Sequence, residues 1–329
     1  MTNTTLGGRG AFPNGPDALA INVYRTAGSG DVAPWGVPGT LFGYSAKAGS
    51  APGESPAYKN DVVEKYSFTT DANATTVGNQ TVDYTGGFGV VGYQSDTYGY
   101  ACGGASYPPT SNTNRIEKFS FASDGDGVDS GADLTRSLHG GQGHSSETHG
   151  FVSGGSGPQN TIDKYTYDTS TNATDHGDLS GSRYNSAGLG SETHGYQCGH
   201  STGDNTIDKF SFASNTTASN VGNMTGSSKH GTGHMTVSQG YCVWGRPTSY
   251  FEKWAFASDG NSADVGDLPV PVTQGSGTSS DTNGYIVGGW TGSVSSTDIQ
   301  KFSFANEATT SNAYDLVTHH GENPGGFMN

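Results

Sequence analysis

The sequence predicts an all-β fold made of six repeated units, and three observations support this prediction. The segment IEKFSF at residues 116–121 returns in five looser or closer copies, and a self-similar unit of roughly 45 residues indicates a repeat architecture. Glycine accounts for 53 of the 329 residues and apolar residues for only 31%, as expected for many tight turns. Short segments bounded by Gly, Asn, Asp and Ser recur as strands do, and no segment keeps a helical period. The lysines of the six copies lie at positions 65, 118, 164, 209, 253 and 301.

Each unit contains four strand candidates, and one glycine keeps its place in the first of them. The second strand carries a glycine followed by an aromatic residue, as at Gly195-Tyr196, and another glycine lies eight residues before each such aromatic. A glycine fixed in register within a strand is typical of a close backbone approach, which the innermost strand of a circular arrangement requires. These glycines are Gly36, Gly92, Gly143, Gly188, Gly233 and Gly277.

The order of these features resembles the Kelch repeat, which builds β-propeller blades. Two glycines end one strand, as at Gly154-Gly155, and a strand with spaced aromatics, a strand ending in Leu and a glycine-rich strand follow. Arg183 lies near the place where Kelch repeats often carry Arg. The pattern departs from Kelch at Gly199-His200 and at Trp244-Gly245, where one glycine of the pair is missing, and the usual Trp of the last strand is absent. The resemblance covers about residues 41–320 and implies a six-bladed Kelch-like β-propeller at 41–329, after an extended, Gly/Pro-rich N-terminal arm at 1–40.

Closure of the ring has two candidate strands. Residues 317–321 resemble the segments at 137–140 and 228–231, so we expect the C-terminus to supply the first strand of the first blade. That arrangement removes an open sheet edge. The alternative is the segment at 35–37, which has Gly36 in register, but Pro34 and Pro38 beside it cannot donate ladder hydrogen bonds.

The charged residues of the repeated strand predict contacts between blades. Side chains alternate along a strand, so the acid and the lysine of each copy point to opposite faces. We expect each lysine to meet the acid or an aromatic ring of the neighbouring blade, with Gln300 interrupting the ring; the alternative is a solvated outer rim. The acids are Glu64, Glu117, Asp163, Asp208 and Glu252.

Candidates for chemistry are few, and we predict no cofactor, no catalytic residue and no enzyme activity. His139, His144, His230 and His234 lie in inner-strand segments and are weak candidates for a metal site; histidines at equivalent repeat positions are more often structural. Residues 124–129 resemble the start of a calcium loop, but Thr135 stands where the bidentate Glu belongs, so we expect an acidic hairpin. The cysteines at 102, 198 and 242 lie in nearly equivalent slots and predict buried free thiols.

Charge and composition limit the partners. A net charge of −15 and a pI near 4.8 argue against nucleic acid and against an anionic membrane surface. The first ten residues do not resemble a signal peptide and no run reaches transmembrane length, yet the chain is rich in Ser, Thr and Asn and carries six Asn-x-Ser/Thr sequons. We therefore expect a virion component of a tailed bacteriophage, with extracellular or cell-surface placement as the alternative.

The function that this combination favours is a non-enzymatic virion structural or adhesion protein, in a tail, a fibre or a capsid decoration. The arm would contact other virion subunits, and the propeller would contact a host-surface glycan or protein. The alternatives are a carbohydrate-binding lectin or, third, a copper or calcium enzyme. Candidate contact residues are Trp35, Tyr107, Trp244, Tyr250 and Trp290.

Overall fold

A computed structural model confirms the six-bladed β-propeller. It describes residues 41–46, 61–81, 89–106, 111–157, 159–200, 202–226, 230–244, 250–320 and 325–328, and within these ranges the regular structure consists of strands, with no helix. The predicted arm at residues 1–40 lies outside the described residues. Every blade is an antiparallel sheet of four principal strands, and the innermost strands of the six blades contact one another in a circle.

The strands follow one another from the axis to the rim of each blade, except in blade 1, whose innermost strand comes last in the chain. Blade 1 contains β1 (Phe42–Ala46), β2 (Val62–Ser67) and β3 (Thr75–Asn79). Blade 2 contains β4 (Val91–Gln94), β5 (Tyr98–Cys102), the short β6 (Ala105–Ser106), β7 (Ser111–Ser120) and β8 (Val128–Leu138). Blade 3 contains β9 (Gln142–Ser145), β10 (His149–Ser153), β11 (Gln159–Thr166) and β12 (Thr174–Arg183). Blade 4 contains β13 (Ala187–Gly190), β14 (His194–Cys198), β15 (Thr206–Ser211) and β16 (Ser219–Asn223). Blade 5 contains β17 (Thr232–Met235), β18 (Gln239–Val243), β19 (Tyr250–Ala255) and β20 (Ala263–Asp267). Blade 6 contains β21 (Ser276–Ser279), β22 (Asn283–Val287), β23 (Ser296–Ser303) and β24 (Thr309–His320). The last strand, β25 (Gly325–Met328), completes blade 1.

The C-terminus closes the ring, as predicted, but with a different segment. β25 pairs antiparallel with β1, so that Tyr44 lies opposite Phe327 and Ala46 opposite Gly325. Residues 317–320, which we expected to form the closing strand, instead end the outer strand β24 of blade 6. Residues 137–140, which this segment resembles, lie in the corresponding place of blades 2 and 3, since Leu138 ends the outer strand β8 and the inner strand β9 begins only at Gln142. The resembling segments therefore precede inner strands and do not form them.

The core lies between the blades and is largely aromatic. At the junction of blades 2 and 3, Tyr100 stacks on both Tyr93 and Tyr167 with ring centroids 5.2 Å apart. Offset stacking of this kind contributes beyond the burial of area alone. The three cysteines are free and buried, as predicted, and burial raises the pKa of the Cys102 thiol. They act as small apolar core residues.

The registered glycines meet at the axis. A Cβ atom at Gly143 would lie 2.0 Å from the carbonyl oxygen of Gly92, and one at Gly233 would lie 2.1 Å from that of Gly188. In blade 1 the corresponding residue is Gly326, whose Cβ would lie 2.9 Å from the carbonyl oxygen of Gly277. Close approach of one inner strand to the next therefore requires glycine, as the register predicts. Gly36 lies outside the described residues.

The acids of the third strands hold neighbouring blades together, but their partners are not lysines. Each acid is buried and accepts hydrogen bonds from the preceding blade, either from the second half of its outer strand or from the residues that follow that strand. Glu252 Oε1 accepts the backbone N–H of Thr225 at 3.1 Å, and Asp208 accepts the N–H of Ser180 at 3.0 Å and its hydroxyl at 2.6 Å. The amide of Gln300 makes the same contact, accepting from Val270 N–H at 3.2 Å and donating to Val270 O at 2.9 Å. We call these six contacts the acid clamps, formed by Glu64, Glu117, Asp163, Asp208, Glu252 and Gln300.

The lysines meet other acids, so the predicted lysine ring is wrong in its partners. Lys65 lies 3.1 Å from Asp124, and Lys209 lies 2.9 Å from Asp259. These acids stand in the turn between the third and fourth strands of the next blade, not on its third strand. The lysine–aromatic contacts fall within single blades, as for Lys118, 4.8 Å above the ring of Tyr98. Strand alternation separated the two charges correctly but did not reveal which element of the next blade each one reaches.

The calcium-like segment is part of this contact, in the turn that joins β7 and β8. Asp124 binds Lys65, and Asp126 accepts the backbone N–H of Asn79 at 2.9 Å. Asp129 lies 3.2 Å from Arg115. The three carboxylates therefore turn to three different partners and serve as a hairpin that contacts blade 1.

Substituting an axial glycine tests the close approach. We expect Gly233→Ala to lower the free energy of unfolding by about 2 kcal/mol, because the new methyl group overlaps a backbone oxygen that cannot move alone. Gly190→Ala is the control, since its Cβ would have nearest neighbours at 3.5 Å. Urea denaturation of both variants measures the difference. Equal stability of the two variants would contradict the axial packing.

A second pair of variants tests the acid clamps. Asp163→Asn leaves the guanidinium of Arg136, 2.7 Å away, without its counter-charge in a buried place, so we expect a loss of about 3 kcal/mol. Glu252→Gln should cost about 1 kcal/mol, because no described cation faces Glu252 and Gln300 already fills the same role. Denaturation at pH 7 compares the two. A larger loss for Glu252→Gln would refute this account of the clamps.

Candidate functional site

One face of the propeller is nearly uniform. The turns that join the first and second strands share one hydrogen bond, from the N–H of a Ser or Thr to the carbonyl oxygen three residues later. This distance is 2.8 Å from Ser146 to His149 and from Ser191 to His194, and 2.9 Å from Thr236 to Gln239. We call this side, which also carries the turns between third and fourth strands, the regular face.

The opposite side, the variable face, carries the connections between second and third strands and the links between blades. Between the described strands, this connection runs from the end of β10 at Ser153 to the start of β11 at Gln159 in blade 3, whereas it spans residues 288–295 in blade 6. Binding residues concentrate on loops that differ while a rigid scaffold positions them. The variable face is therefore the candidate functional site.

A cavity of about 100 Å³ lies on the axis. It extends from Gly141, Gly231 and Gly275 on the variable side to Ser145 and Met328 on the regular side. None of the described residues that line it is Asp, Glu, Lys or Arg. A neutral, polar cavity of this size suits a few ordered water molecules.

A belt of backbone hydrogen bonds surrounds the mouth of this cavity on the variable face. Gly140 N–H donates to Gly89 O at 2.9 Å, Asn185 N–H to Gly140 O at 2.9 Å, His230 N–H to Asn185 O at 2.8 Å and Gln274 N–H to His230 O at 3.2 Å. All five residues have positive φ, between 49° at Asn185 and 77° at Gly89. Glycine adopts this conformation freely, and Asn and His adopt it more readily than most residues. The belt gives the mouth a fixed backbone while its side chains differ from blade to blade.

His139 connects three blades beside the belt. Its Nδ1 lies 2.9 Å from Asn112 Oδ1, and its Nε2 lies 3.0 Å from the hydroxyl of Tyr184. Burial lowers the pKa of His139 to about 4, so the ring is neutral at pH 7. With the Asn112 oxygen as acceptor, Nδ1 carries the proton and Tyr184 donates to Nε2. The sequence did not single out Tyr184, although it lies one repeat after His139 and occupies the same place in the next blade.

The four candidate metal ligands do not converge. His144 contacts Leu189 O at 2.9 Å and Ser153 Oγ at 2.8 Å, and His234 contacts Thr278 O at 3.0 Å and Thr232 Oγ1 at 2.8 Å. Burial lowers the pKa of each of these two histidines to about 4. His139 belongs to the network at the mouth and His230 to the belt. Among the described residues, no three His, Cys, Asp or Glu side chains form a group that could hold a metal ion.

The aromatic residues predicted to contact a partner differ in their exposure to solvent. Trp244 is only 1% exposed, and its ring fills the space over Gly231, where a Cβ atom would lie 2.2 Å from it. The prediction that Trp244 is an exposed contact residue is therefore wrong. Trp290 is half-buried on the variable face, where its backbone N–H donates to Thr273 O at 2.7 Å. Trp35, Tyr107 and the side chain of Tyr250 lie outside the described residues.

One chain of residues has the connectivity of a hydrolytic triad. Ser45 Oγ lies 2.7 Å from His320 Nδ1, and His320 Nε2 lies 3.4 Å from Glu64. All three residues are 0% exposed, so a substrate has no access to the serine hydroxyl. The chain joins blade 6 to blade 1 and is a structural contact of the closed ring.

Comparisons with known proteins do not add a family. No protein-family model matches the sequence, and no curated protein matches it either. The structure therefore shows a six-bladed propeller, and the resemblance to Kelch repeats rests on the sequence pattern alone. The described part of the chain contains no helix with the length and apolarity needed to cross a membrane.

The two tryptophans make a test of which aromatic groups face outward. We expect Trp244→Ala to lower the free energy of unfolding by about 3 kcal/mol, because it leaves a cavity in the core. Trp290→Ala should cost less than about 1 kcal/mol, because its ring is partly solvated. Urea denaturation measures both. A greater loss for Trp290→Ala would place that ring in the core instead.

Proposed function

We propose that this protein is a non-enzymatic recognition protein that binds a macromolecular partner on the variable face of its propeller. The observation that carries the proposal is the contrast between the two faces. The turns at Ser146, Ser191 and Thr236 repeat one geometry, whereas the connections opposite them differ in length and composition. A scaffold held this regularly, with its variation confined to one side, has the organisation of a binding module.

The finer proposal is that it is a virion structural or adhesion protein of a tailed bacteriophage, placed in a tail, a fibre or a capsid decoration. Its support is the acidic, Ser-, Thr- and Asn-rich sequence and the Gly/Pro-rich segment at residues 1–40. In this proposal residues 1–40 bind other virion subunits, and the variable face binds a host-surface glycan or protein. No nucleic acid partner and no membrane insertion are expected for a chain with net charge −15.

The DNA that flanks the gene tests the virion assignment. We expect capsid and tail genes beside it, because virion proteins are assembled from one set of late products. A variant lacking residues 1–40 should fold, since the described blades close without that segment, and should fail to join particles assembled in its presence. Particle incorporation of the shortened chain at the wild-type level would show that residues 1–40 are not the anchor.

A second candidate function, a carbohydrate-binding lectin, is favoured by one observation at blade 6. The half-buried ring of Trp290 stands beside a tight turn in which Thr291 N–H donates to Val294 O at 3.0 Å. Val294 is 51% exposed, and Ser293 is exposed beside it. An aromatic face bordered by hydroxyl groups suits the apolar face and the hydroxyls of a sugar ring.

A glycan array separates the two candidates. If the lectin reading is right, the full-length protein binds defined glycans and Trp290→Ala weakens that binding at least about tenfold. Val237→Asp is the matched control, since Val237 is exposed on the regular face and should leave binding unchanged. Equal loss in both variants, or no glycan bound by the wild type, would remove the lectin and leave a protein partner.

A further inference from the structure

The junction between the last and the first blade differs from those at the acids of blades 2, 3 and 4 in the cation that faces its buried acid. In blades 2, 3 and 4 the acid lies near an arginine: Glu117 is 3.3 Å from Arg115, Asp163 is 2.7 Å from Arg136 and Asp208 is 3.3 Å from Arg183. Arginine keeps its charge at all physiological pH values. Glu64 of blade 1 instead lies 3.4 Å from His320, which ends the outer strand β24 of blade 6. Histidine is the side chain that gains or loses its charge near neutral pH.

The surroundings of His320 accept both of its charge states. Ser45 Oγ lies 2.7 Å from Nδ1, and a hydroxyl can donate to a neutral ring or accept from a protonated one by rotating its hydrogen. On the other side, Nε2 faces the Glu64 carboxylate in either state. The backbone is held as well, since Gly289 N–H donates to His320 O at 2.6 Å. The imidazole can therefore titrate without moving the strands.

Glu64 is held ionised by its other contacts. It accepts Val317 N–H at 2.7 Å, Thr318 N–H at 2.9 Å and the Thr318 hydroxyl at 2.5 Å. Burial alone would raise the pKa of Glu64, but His320 and these donors together lower it below its ordinary value. The backbone and hydroxyl donors and His320 therefore all favour a buried negative charge at the junction.

Other ionisable groups lie on the elements that pack against His320. They are Tyr44 on β1, Lys65 and Tyr66 on β2, Asp298 and Lys301 on β23, and Tyr314, Asp315 and His319 on β24. Of the described carboxylates, Glu64 alone lies within 4 Å of a ring nitrogen of His320. Lys301 and Lys65 are turned to the acids Asp71 and Asp124 of adjacent turns. Glu64 is thus a carboxylate in direct contact with the imidazole of His320.

We propose that His320 is a pH-sensitive latch of the closed ring, in which protonation of the imidazole strengthens the contact with Glu64 and tightens the junction between blades 6 and 1. Both side chains are 0% exposed, so water does not screen the contact. The folded chain then binds the proton more tightly than the unfolded chain. By linkage, this contribution is fully present below about pH 6.5, where an unfolded histidine is already protonated, and it is lost as pH rises above that value.

The lower limit of the window comes from Glu64. Because its pKa is lowered by folding, its contribution is present above the ordinary value of 4.5 and is lost as pH falls through the lowered value. The junction should therefore be tightest at mildly acidic pH and looser under alkaline conditions. β25 shares this junction, since it pairs with β1 beside Ser45, so the closing strand should open more often as pH rises.

The test compares the full-length protein with His320→Gln at pH 5.5 and pH 8.5 by urea denaturation. We divide the unfolding constant of the variant by that of the wild type. This ratio should be about tenfold larger at pH 5.5 than at pH 8.5, which corresponds to a difference of one unit between the pKa of the histidine in the folded and in the unfolded chain. His234→Gln is the matched control, a buried histidine whose pKa folding lowers to about 4. Its own ratio should fall at pH 5.5, because wild-type folding then excludes a proton that the unfolded chain binds. A ratio for His320→Gln that is flat, or that falls as the control does, overturns the proposal.

A second measurement needs no variant and decides the matter if His320→Gln does not fold. In the wild-type protein labelled at histidine, the ring nitrogens of His320 should show a protonated imidazole at pH 6.5 by NMR, while those of His234 should stay neutral. A His320 ring that remains neutral at pH 5.5 refutes the latch.

Discussion

A buried carboxylate or amide that binds the neighbouring blade's backbone is the contact on which the ring depends. In each clamp the acid or amide accepts from the preceding blade, either from the second half of its outer strand, as Asp208 does from Ser180, or from the residues just after that strand, as Glu252 does from Thr225. This contact satisfies the buried carboxylate or amide with hydrogen-bond donors. It also holds the donating segment in place where the chain passes to the next inner strand. Adjacent blades can then approach closely enough for the axial glycines to touch, as Gly143 does Gly92.

The same geometry protects the outer edges. An outer strand has one side without a partner in its own sheet, and such an edge invites aggregation. Here the turn of the next blade covers part of it: Gly125 N–H donates to Val77 O at 2.7 Å, and Gly260 N–H donates to Val221 O at 2.9 Å. The Lys65–Asp124 and Lys209–Asp259 ion pairs lie beside these bonds. The acidic turns thus have a structural role, which accounts for much of the charge that the sequence places there.

The fold was largely predictable because repetition exposes it. The recurring strand and the registered glycine follow from pattern alone, and both are confirmed. Closure by the C-terminus is also confirmed, but the segment from which we inferred it ends the outer strand β24, and β25 closes the ring instead. The partners of the charged strand residues in the neighbouring blade were not predictable. The period of a strand shows which residues share a face, but it does not show which element of the neighbouring blade they contact. A usable signal did exist: Asp71, Asp124, Asp259 and Glu307 stand at one place in the turn, and their lysines at one place in the strand. In blades 3 and 4 the place of the acid in the turn is taken by Ser170 and Asn215. The lysines of the preceding blades, Lys118 and Lys164, accordingly have no carboxylate within 4 Å among the described residues.

The candidate site was less predictable, since it lies where the repeats differ. Trp244 looked exposed because it adjoins a turn, but the absence of a side chain at Gly231 leaves room for its ring in the core. The candidate histidines share a strand context yet separate in space: His144 and His234 belong to different blade junctions, and each has neutral partners. Equivalent positions in a propeller are related by rotation about the axis, so residues near the axis or its mouth, such as Gly143 and Gly92 or His139 and Tyr184, meet their equivalents, whereas residues farther out do not.

The sequons show how far the fold accounts for the composition. Asn79 and Thr81 form one Asn-x-Thr sequon, and Asn223 and Thr225 form another. Thr81 N–H donates to Glu117 at 3.1 Å, so this threonine belongs to an acid clamp, as Thr225 does. The Asn79 side-chain amide donates to Asp126 at 3.0 Å, a bond that a glycan on that nitrogen would remove. These Asn and Thr residues are needed to join blades in any compartment. The case for recognition therefore rests on the variable face, whose connections differ from blade to blade.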